Sequence, residues 1–323
     1  MSDKSDRRMI IIVNPAAGKN EPVLNTINDV FAEYDIGWDV LITHGPGDAT
    51  ELARQAADAG SDLIAVYGGD GTLMEVINGL MGREVTIGVL PGGTGNTVAA
   101  DLGIPLILAD ALRVLATSTA RRRLDVGEVN GRYFLLRAYT GVGSDKNASR
   151  EMKDRLGVLA YPISGLRFLK EHPTAEFHIT VDGQQIDEPG ILCYVNNIAY
   201  SRSPRLQDWI ERTFLDMKVH EGDKAEPAGE PLLQTIDPTD GLLDIILLTQ
   251  DPFTLQALKS VVVRDGEAQA TVHFLQGKHI RIEADPPQGL WIDGEECGTT
   301  PAELQVVPQA ISVVVPTNGS SHS

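Results

Sequence analysis

Three short turns rich in small residues, each directly after an apolar run, constrain the fold of this chain more than any other feature. They are NPAAG at 14–18, GGDGT at 68–72 and PGGTGN at 91–96. Helical patterns follow the second and third turns, near 73–80 and 96–102, and alternation of strand, turn and helix predicts a parallel α/β sheet. Because the carboxyl ends of parallel strands meet at one edge of a sheet, we expect the three turns to cluster there, where open α/β sheets bind ligands.

The residue types in these turns predict a site for a nucleoside triphosphate. Gly68, Gly69 and Gly71 lack a Cβ atom, so the backbone can come close to a bulky anion. The amides that open the following helix then point at that anion, and the helix dipole favours its negative charge. Asp70 is out of place against bare phosphate, but it suits a phosphate-bound Mg²⁺.

Two common nucleotide motifs are absent from the chain. Gly18-Lys19 is followed by Asn20 and has no glycine five residues before Gly18, so the G-x-x-x-x-G-K-[ST] pattern is excluded. No G-x-G-x-x-G dinucleotide fingerprint occurs either. The three turns together resemble the diacylglycerol kinase catalytic family, which includes sphingosine kinases, ceramide kinases and bacterial lipid kinases. Further stretches resemble later landmarks of that family: LDVGEVNGRYF at 124–134, GVGSD at 141–145, DGLLDI at 240–245 and WIDGEE at 291–296.

The resemblance implies an ATP- and Mg²⁺-dependent lipid kinase. Such an enzyme transfers the γ-phosphate to a hydroxyl of diacylglycerol or a related lipid, in a cleft between two domains. The resemblance implies Glu295 as the first candidate for the proton acceptor and Asp293 as the second. It also implies that Asp70 lies beside Mg²⁺. The residues that the resemblance assigns to ATP are Asn14, Thr43, Gly68, Gly69, Gly71, Thr72, Gly92, Gly93, Thr94 and Asn96.

The resemblance also implies a second magnesium site, at Asp240-Gly241 of the DGLLDI stretch. In bacterial members an aspartate side chain and neighbouring backbone carbonyls hold a structural Mg²⁺, and the matching positions here are Asp237, Asp240 and Leu242. Oxygen ligands and retained waters suit this ion. The stretch 201–239 departs from the family pattern, because it is longer and lacks a glycine cluster. The acceptor lipid is therefore left open.

Two alternatives remain at this point. An NAD kinase shares GGDGT and a two-domain plan, although PGGTGN and the DGE at 293–295 argue against this alternative. A non-catalytic lipid- or nucleotide-binding protein could keep the same scaffold. Asp293-Gly294 also fits an ordinary hairpin turn, because Asp-Gly is common there.

The pattern predicts two domains and a tail. Residues 1–123 are expected to form an α/β domain, and the resemblance implies that it binds ATP and is of the NAD kinase and phosphofructokinase type. Residues 124–316 form a β-rich lipid-acceptor domain, an antiparallel β-sandwich-like fold whose last strand can return to the first domain. Asn-Gly at 130–131 and Asp-Gly at 182–183 predict hairpin turns in it. Separate late strands are expected near 303–307 and 310–315, and one helix near 252–264. Residues 317–323 read as a disordered tail.

Composition suggests where such a chain works. Two cysteines without CxxC spacing favour a reducing compartment, and neither a signal peptide nor an apolar run of membrane-spanning length is evident. We therefore expect a cytoplasmic protein. The formal net charge of −18 disfavours nucleic-acid binding. The basic and apolar segment 145–171 could touch a membrane surface peripherally, or could be an ordinary helix with a charged outer face. Whether the chain forms a homodimer is left open.

Overall fold

The computed structural model describes residues 9–18, 21–141, 175–198, 236–249 and 272–317. The chain divides into two compact units. The first contains Met1–Val126 and Pro308–Ser323, and the second contains Gly127–Val307. The chain thus returns to the first unit at its carboxyl end.

In the described part of the first unit, four parallel strands alternate with helices, and the last part of a late strand, residues 308–314, pairs in parallel with the fourth of them. In chain order the elements are β1 (Met9–Val13), α1 (Val23–Glu33), β2 (Trp38–Ile42), α2 (Asp48–Asp58), β3 (Leu63–Gly68), α3 (Asp70–Leu80), β4 (Thr86–Pro91), α4 (Thr97–Asp101) and α5 (Leu108–Thr117). The strand order is β4-β3-β1-β2. The predicted parallel α/β sheet is confirmed.

Continuous apolar runs make the inner strands β1 and β3, because helices cover both faces of such a sheet. Ile11, Ile12 and Ile64 are fully buried. Helix α1 buries Ile27, Val30 and Phe31, and a spacing of three and four residues places side chains on one helical face. Helix α3 begins at residue 70, three residues earlier than the pattern predicted. The acidic residue of GGDGT therefore opens the helix and does not lie in the turn before it.

The second unit is built from antiparallel strands. In chain order the remaining elements are β5 (Arg121–Val129), β6 (Arg132–Phe134), β7 (Arg137–Thr140), β8 (Ala175–Val181), β9 (Gln184–Asn196), β10 (Leu243–Thr249), β11 (Val272–Gly277), β12 (His279–Asp285), β13 (Gly289–Ile292), β14 (Glu295–Thr299) and β15 (Ala302–Val314). The strand order is β14-β13-β7-β9-β8-β12-β15, and β10 pairs with both β9 and β11. The core contains Phe134, Phe177, Val195, Ile245 and Leu304. The predicted antiparallel second domain is confirmed.

Both predicted hairpin turns are present. Asn130 and Gly131 have φ values of 51° and 77°, and Asp182 and Gly183 have 47° and 87°. Two successive residues with positive φ give a type I′ turn, whose twist matches the flanking strands. The local sequence therefore set these two connections.

Two strands in this region differ from the sequence prediction. The sequence pattern suggested separate strands near 303–307 and 310–315, but β15 is one continuous strand. It can continue because its early part pairs with β12 and its last part pairs with β4, so each part has a partner. Strand β14 was not predicted, because its sequence EECGT is polar and exposed along most of its length.

Several predictions lie wholly or mostly outside the described residues. These are the helix near 252–264, the segment 145–171, the stretch 201–239 up to residue 235, and the tail from residue 318. Within the described ranges, no helix combines the length and apolar character needed to cross a membrane.

Candidate functional site

The three predicted turns lie at one edge of the sheet in the first unit. Strand β3 pairs with β1 on one side and β4 on the other, all in parallel, so their carboxyl ends are adjacent. We name residues 14–18 the first loop, 68–72 the second loop and 92–96 the third loop. Thr43 directly follows β2 at the same edge and is 6% exposed, and its N–H donates to the Val13 carbonyl at 3.0 Å.

The second and third loops touch through backbone atoms. The Gly92 N–H donates to the Gly68 carbonyl at 2.9 Å. A Cβ placed on Gly93 would lie 2.5 Å from the Cα of Gly69, so only glycine fits at position 93. Asn96 holds the turn of the third loop, because its Oδ1 accepts from the Gly93 N–H at 2.9 Å and its Nδ2 donates to the Gly93 carbonyl at 2.6 Å.

Asn14 joins the first loop to the second. Its Nδ2 donates to Thr72 Oγ1 at 2.8 Å, and its Oδ1 accepts from the Ala16 N–H at 2.9 Å. The first loop also adjoins the third, since a Cβ on Gly18 would lie 3.4 Å from Thr94 Oγ1. The three loops therefore form one continuous surface.

This surface has the features of an anion site. Gly71 and Thr94 are exposed on it, and α3 begins within the second loop. The first amides of a helix have no partner inside the helix, and the helix dipole adds positive character there. Backbone N–H groups and hydroxyls at such a place can bind phosphate oxygens.

Asp70 has a structural task that the sequence did not reveal. Its Oδ2 accepts from the Thr97 N–H at 3.0 Å, and its Oδ1 accepts from the Val98 N–H at 3.2 Å. Both donors open α4, so the carboxylate caps that helix from another part of the chain. A role beside Mg²⁺ stays a prediction, and it would have to coexist with this cap.

In the second unit, Asp293 and Gly294 form the turn between β13 and β14, with φ values of 47° and 89°. The Asp293 carboxylate accepts three backbone N–H groups, from Leu135 at 2.9 Å, Leu136 at 3.1 Å and Arg137 at 2.8 Å. Burial raises the pKa of Asp293 to about 6, although these donors and the charge of Arg137 oppose the rise. The carboxylate therefore clamps the link between β6 and β7.

Glu295 is placed differently from Asp293. Its side chain is 68% exposed, and its Oε2 lies 3.4 Å from Nη2 of Arg132. An exposed ion pair of this kind contributes little to stability and leaves the carboxylate accessible. Of the two predicted proton acceptors, Glu295 is the one open to a ligand.

The predicted structural magnesium site is a tight turn before β10. Asp237 Oδ1 accepts from the Thr239 N–H at 3.1 Å and from its hydroxyl at 2.7 Å. Asp240 Oδ1 accepts from the Leu242 N–H at 2.9 Å. In the part of the chain that the structure describes, no three His, Cys, Asp or Glu side chains come close enough to form a metal centre by themselves.

Asp244 adds an acidic group next to this turn. It is 1% exposed, and its Oδ1 accepts from Nε2 of Gln276 at 2.8 Å. Burial raises the pKa of Asp244 to about 7, the Gln276 bond opposes this, and the nearby charges of Asp240 and Asp237 add to it. A cation held by this turn would relieve that repulsion.

The predicted nucleotide residues are therefore brought together within the first unit. Asp293 and Glu295, with the turn at 237–242, belong to the second unit. Sequence reasoning missed Tyr67 and Glu21, which form a hydrogen bond behind the loops. Nothing in the sequence marks them as partners, because they are 46 residues apart.

The protein therefore has two units: an α/β unit that carries a three-loop anion surface, and an antiparallel β unit that follows it in the chain. Two family models match the chain. The model of the diacylglycerol kinase catalytic domain matches residues 8–129, and that of the YegS C-terminal NAD kinase beta sandwich-like domain matches residues 228–315. The chain belongs to the diacylglycerol kinase catalytic family, as its sequence motifs suggested.

Similar proteins support this membership along nearly the whole chain. A "probable lipid kinase YegS-like" of Pseudomonas syringae pv. tomato is 30% identical, over 97% of this chain and 95% of the relative. The diacylglycerol kinase of Bacillus subtilis is 29% identical, over 96% and 97%. A solved diacylglycerol kinase structure from Bacillus anthracis has a TM-score of 0.70 at 24% identity, covering 95% of this chain and 96% of that one, and supports the fold.

Proposed function

We propose that this protein is an ATP- and Mg²⁺-dependent lipid kinase that phosphorylates a hydroxyl of diacylglycerol or a related lipid alcohol. The observation that carries the proposal is the meeting of three glycine-containing loops at one sheet edge, with a backbone contact that only glycine permits between Gly69 and Gly93. Membership of a lipid kinase family supports the lipid acceptor over NAD⁺.

Phosphoryl transfer needs positioned phosphates, neutralised charge and a group that accepts the proton of the attacking hydroxyl. Backbone amides at the start of α3 and the Thr94 hydroxyl are suited to the first task. The Thr72 hydroxyl accepts from Asn14, so it keeps its own proton to donate to a phosphate oxygen. Asn14 would therefore act by orienting Thr72.

Glu295 is the better of the two carboxylates for accepting the proton. A general base has to reach hydrogen-bond distance of the hydroxyl. Glu295 is exposed, whereas Asp293 is already bound by three backbone donors. Arg132 next to Glu295 would hold its carboxylate in place.

Magnesium fits the oxygen-rich turn by ligand type. Asp240, Asp237 and the Leu242 carbonyl offer the hard oxygen ligands that Mg²⁺ prefers, and this ion commonly keeps several waters as its other ligands. At the nucleotide, Asp70 is the candidate to hold the ion. Bound Mg²⁺ supplies positive charge that neutralises phosphate oxygens.

The decisive experiment is transfer of labelled γ-phosphate from Mg·ATP to a panel of mixed micelles, with NAD⁺ in a parallel reaction. The panel holds diacylglycerol, monoacylglycerol, phosphatidylglycerol, sphingosine, ceramide and undecaprenol. We expect label in diacylglycerol or a related lipid alcohol. Label in NAD⁺ would replace the proposal with an NAD kinase, and no transfer despite Mg·ATP binding would favour the non-catalytic binding protein.

We also propose that the enzyme is cytoplasmic and contacts the membrane peripherally through the segment 145–171. Such contact is needed because a lipid substrate resides in the membrane. The segment mixes basic and apolar residues in an otherwise acidic chain. Replacing Lys146, Arg150 and Lys153 with glutamine should weaken co-sedimentation with anionic vesicles. Unchanged co-sedimentation would assign the segment to another role.

A further inference from the structure

Tyr67 lies directly beneath the nucleotide loops. It is the residue of β3 before the second loop, and it is 1% exposed. Its ring lies against the third loop, because a Cβ on Gly92 would come within 2.8 Å of two ring carbons. The ring therefore forms the floor on which the third loop rests.

The same residue contacts the first loop and the chain that follows that loop. Its carbonyl accepts from the Asn14 N–H at 2.9 Å, at the start of that loop. Its hydroxyl donates to Oε1 of Glu21 at 2.8 Å, on the chain that leads from the first loop into α1. Tyr67 is thus in contact with chain segments belonging to all three loops.

An ordinary core tyrosine would also find a partner for its hydroxyl. The partner here is a carboxylate, which makes a stronger hydrogen bond than a neutral acceptor does. Burial raises the pKa of Tyr67, and the hydrogen bond and charge of Glu21 raise it further, so the phenol keeps its proton and remains the donor. A residue that only filled space under Gly92 would need the aromatic ring and not the hydroxyl group.

We propose that Tyr67 and Glu21 are a positioning pair, which fixes the first loop relative to the third and so sets the affinity for the triphosphate of the nucleotide. This inference rests on the proposed function, since it assumes that the loops bind ATP. Neither residue is placed at the reacting atoms. Losing the pair should therefore weaken nucleotide binding and change the chemical step little.

The test uses the full-length protein and Mg·ATP titrations by calorimetry. Tyr67→Phe keeps the ring under Gly92 and removes the donor, while Glu21→Ala removes the acceptor. A hydrogen bond to a charged group is strong enough for its loss to raise Kd for Mg·ATP about tenfold. Tyr34→Phe and Glu33→Ala are matched controls on exposed positions near the end of α1, and both should bind like the wild type.

A double-mutant cycle separates the pair from two independent effects. Removing Glu21 also changes the local charge, so neither single variant measures the hydrogen bond alone. The coupling free energy between the two substitutions is the quantity that reports on the pair. In the Tyr67→Phe background the hydrogen bond is already lost, so Glu21→Ala then reports the charge effect alone. We expect the double variant to bind within about twofold of the Tyr67→Phe variant. The KM for Mg·ATP should rise with Kd while kcat stays within about threefold, a split that general loss of structure would not give.

Two results would overturn the inference in different ways. If the wild type binds Mg·ATP and Tyr67→Phe binds equally well, or if the two substitutions act additively, the positioning pair is refuted and the proposed function stands. If the wild type binds no Mg·ATP, the proposed function fails and the inference falls with it.

Discussion

Asp70 offers the sharpest test of how this site is built, because it can be changed in two ways. Asp70→Ala removes both acceptors that cap α4, the contacts to Thr97 and Val98 at 3.0 and 3.2 Å. Loss of one helix cap costs about 1 kcal/mol, and hydrogen bonds to charged groups contribute about 1.5–3 kcal/mol each. Because Asp70 is only partly buried, water can replace some of this, and we expect a loss of about 2–3 kcal/mol in unfolding free energy.

Asp70→Asn separates this structural role from a role beside Mg²⁺. Asparagine keeps one carbonyl oxygen as an acceptor for the start of α4, but its NH2 group cannot accept from the second N–H. We therefore expect it to lose less stability than Asp70→Ala, about 1–2 kcal/mol. It carries no charge, so both variants should lose phosphotransfer if Asp70 holds the ion. Stability is read from the midpoint and slope of urea unfolding, and Asp29→Ala on the exposed face of α1 is the control.

Two outcomes would refute this reasoning. If Asp70→Ala unfolds like the wild type, the contacts to the start of α4 do not stabilise the protein. If Asp70→Asn keeps wild-type turnover, the charge of Asp70 has no part in the reaction.

Three further predictions concern other parts of the chain. Glu295→Gln should lower turnover at least about 100-fold while Kd for Mg·ATP changes less than about twofold, because it removes a proton acceptor and no phosphate contact; a wild-type rate would place the base elsewhere. Gly93→Ala should cost about 1–3 kcal/mol and weaken Mg·ATP binding, since the new Cβ would lie 2.5 Å from Gly69 Cα, whereas Gly45→Ala, with open space around it, should be neutral in both assays. Burial raises the pKa of Asp244 from 3.8 to about 7, so protonation favours the folded state and this stabilisation is lost as pH rises towards 7. From about pH 6 to about pH 8 the wild type should lose about 1.4 kcal/mol relative to Asp244→Asn in urea unfolding, and parallel pH profiles would contradict this.

The structure also explains which predictions failed. Strand β15 was predicted as two strands because a sequence pattern cannot show that one strand has different neighbours along its length. Strand β14 was missed because its residues are mostly polar and exposed, and its pairing with β13 is what makes it a strand. In both cases the deciding contacts are with strands elsewhere in the chain.

The sequence by itself determined the alternation of strand and helix in the first unit, the glycine-rich loops at its sheet edge and the Asn-Gly and Asp-Gly turns of the second. These features follow from apolar periodicity and from the φ values that glycine, asparagine and aspartate tolerate, which are local properties. Only the tertiary structure decided what the polar groups of the site bind. The cap on α4 joins residues 27 and 28 positions apart, the Tyr67–Glu21 bond spans 46, and the donors to Asp293 lie 156 to 158 residues away. A side chain's chemistry shows that it needs a partner, but which group meets it depends on how the whole chain folds.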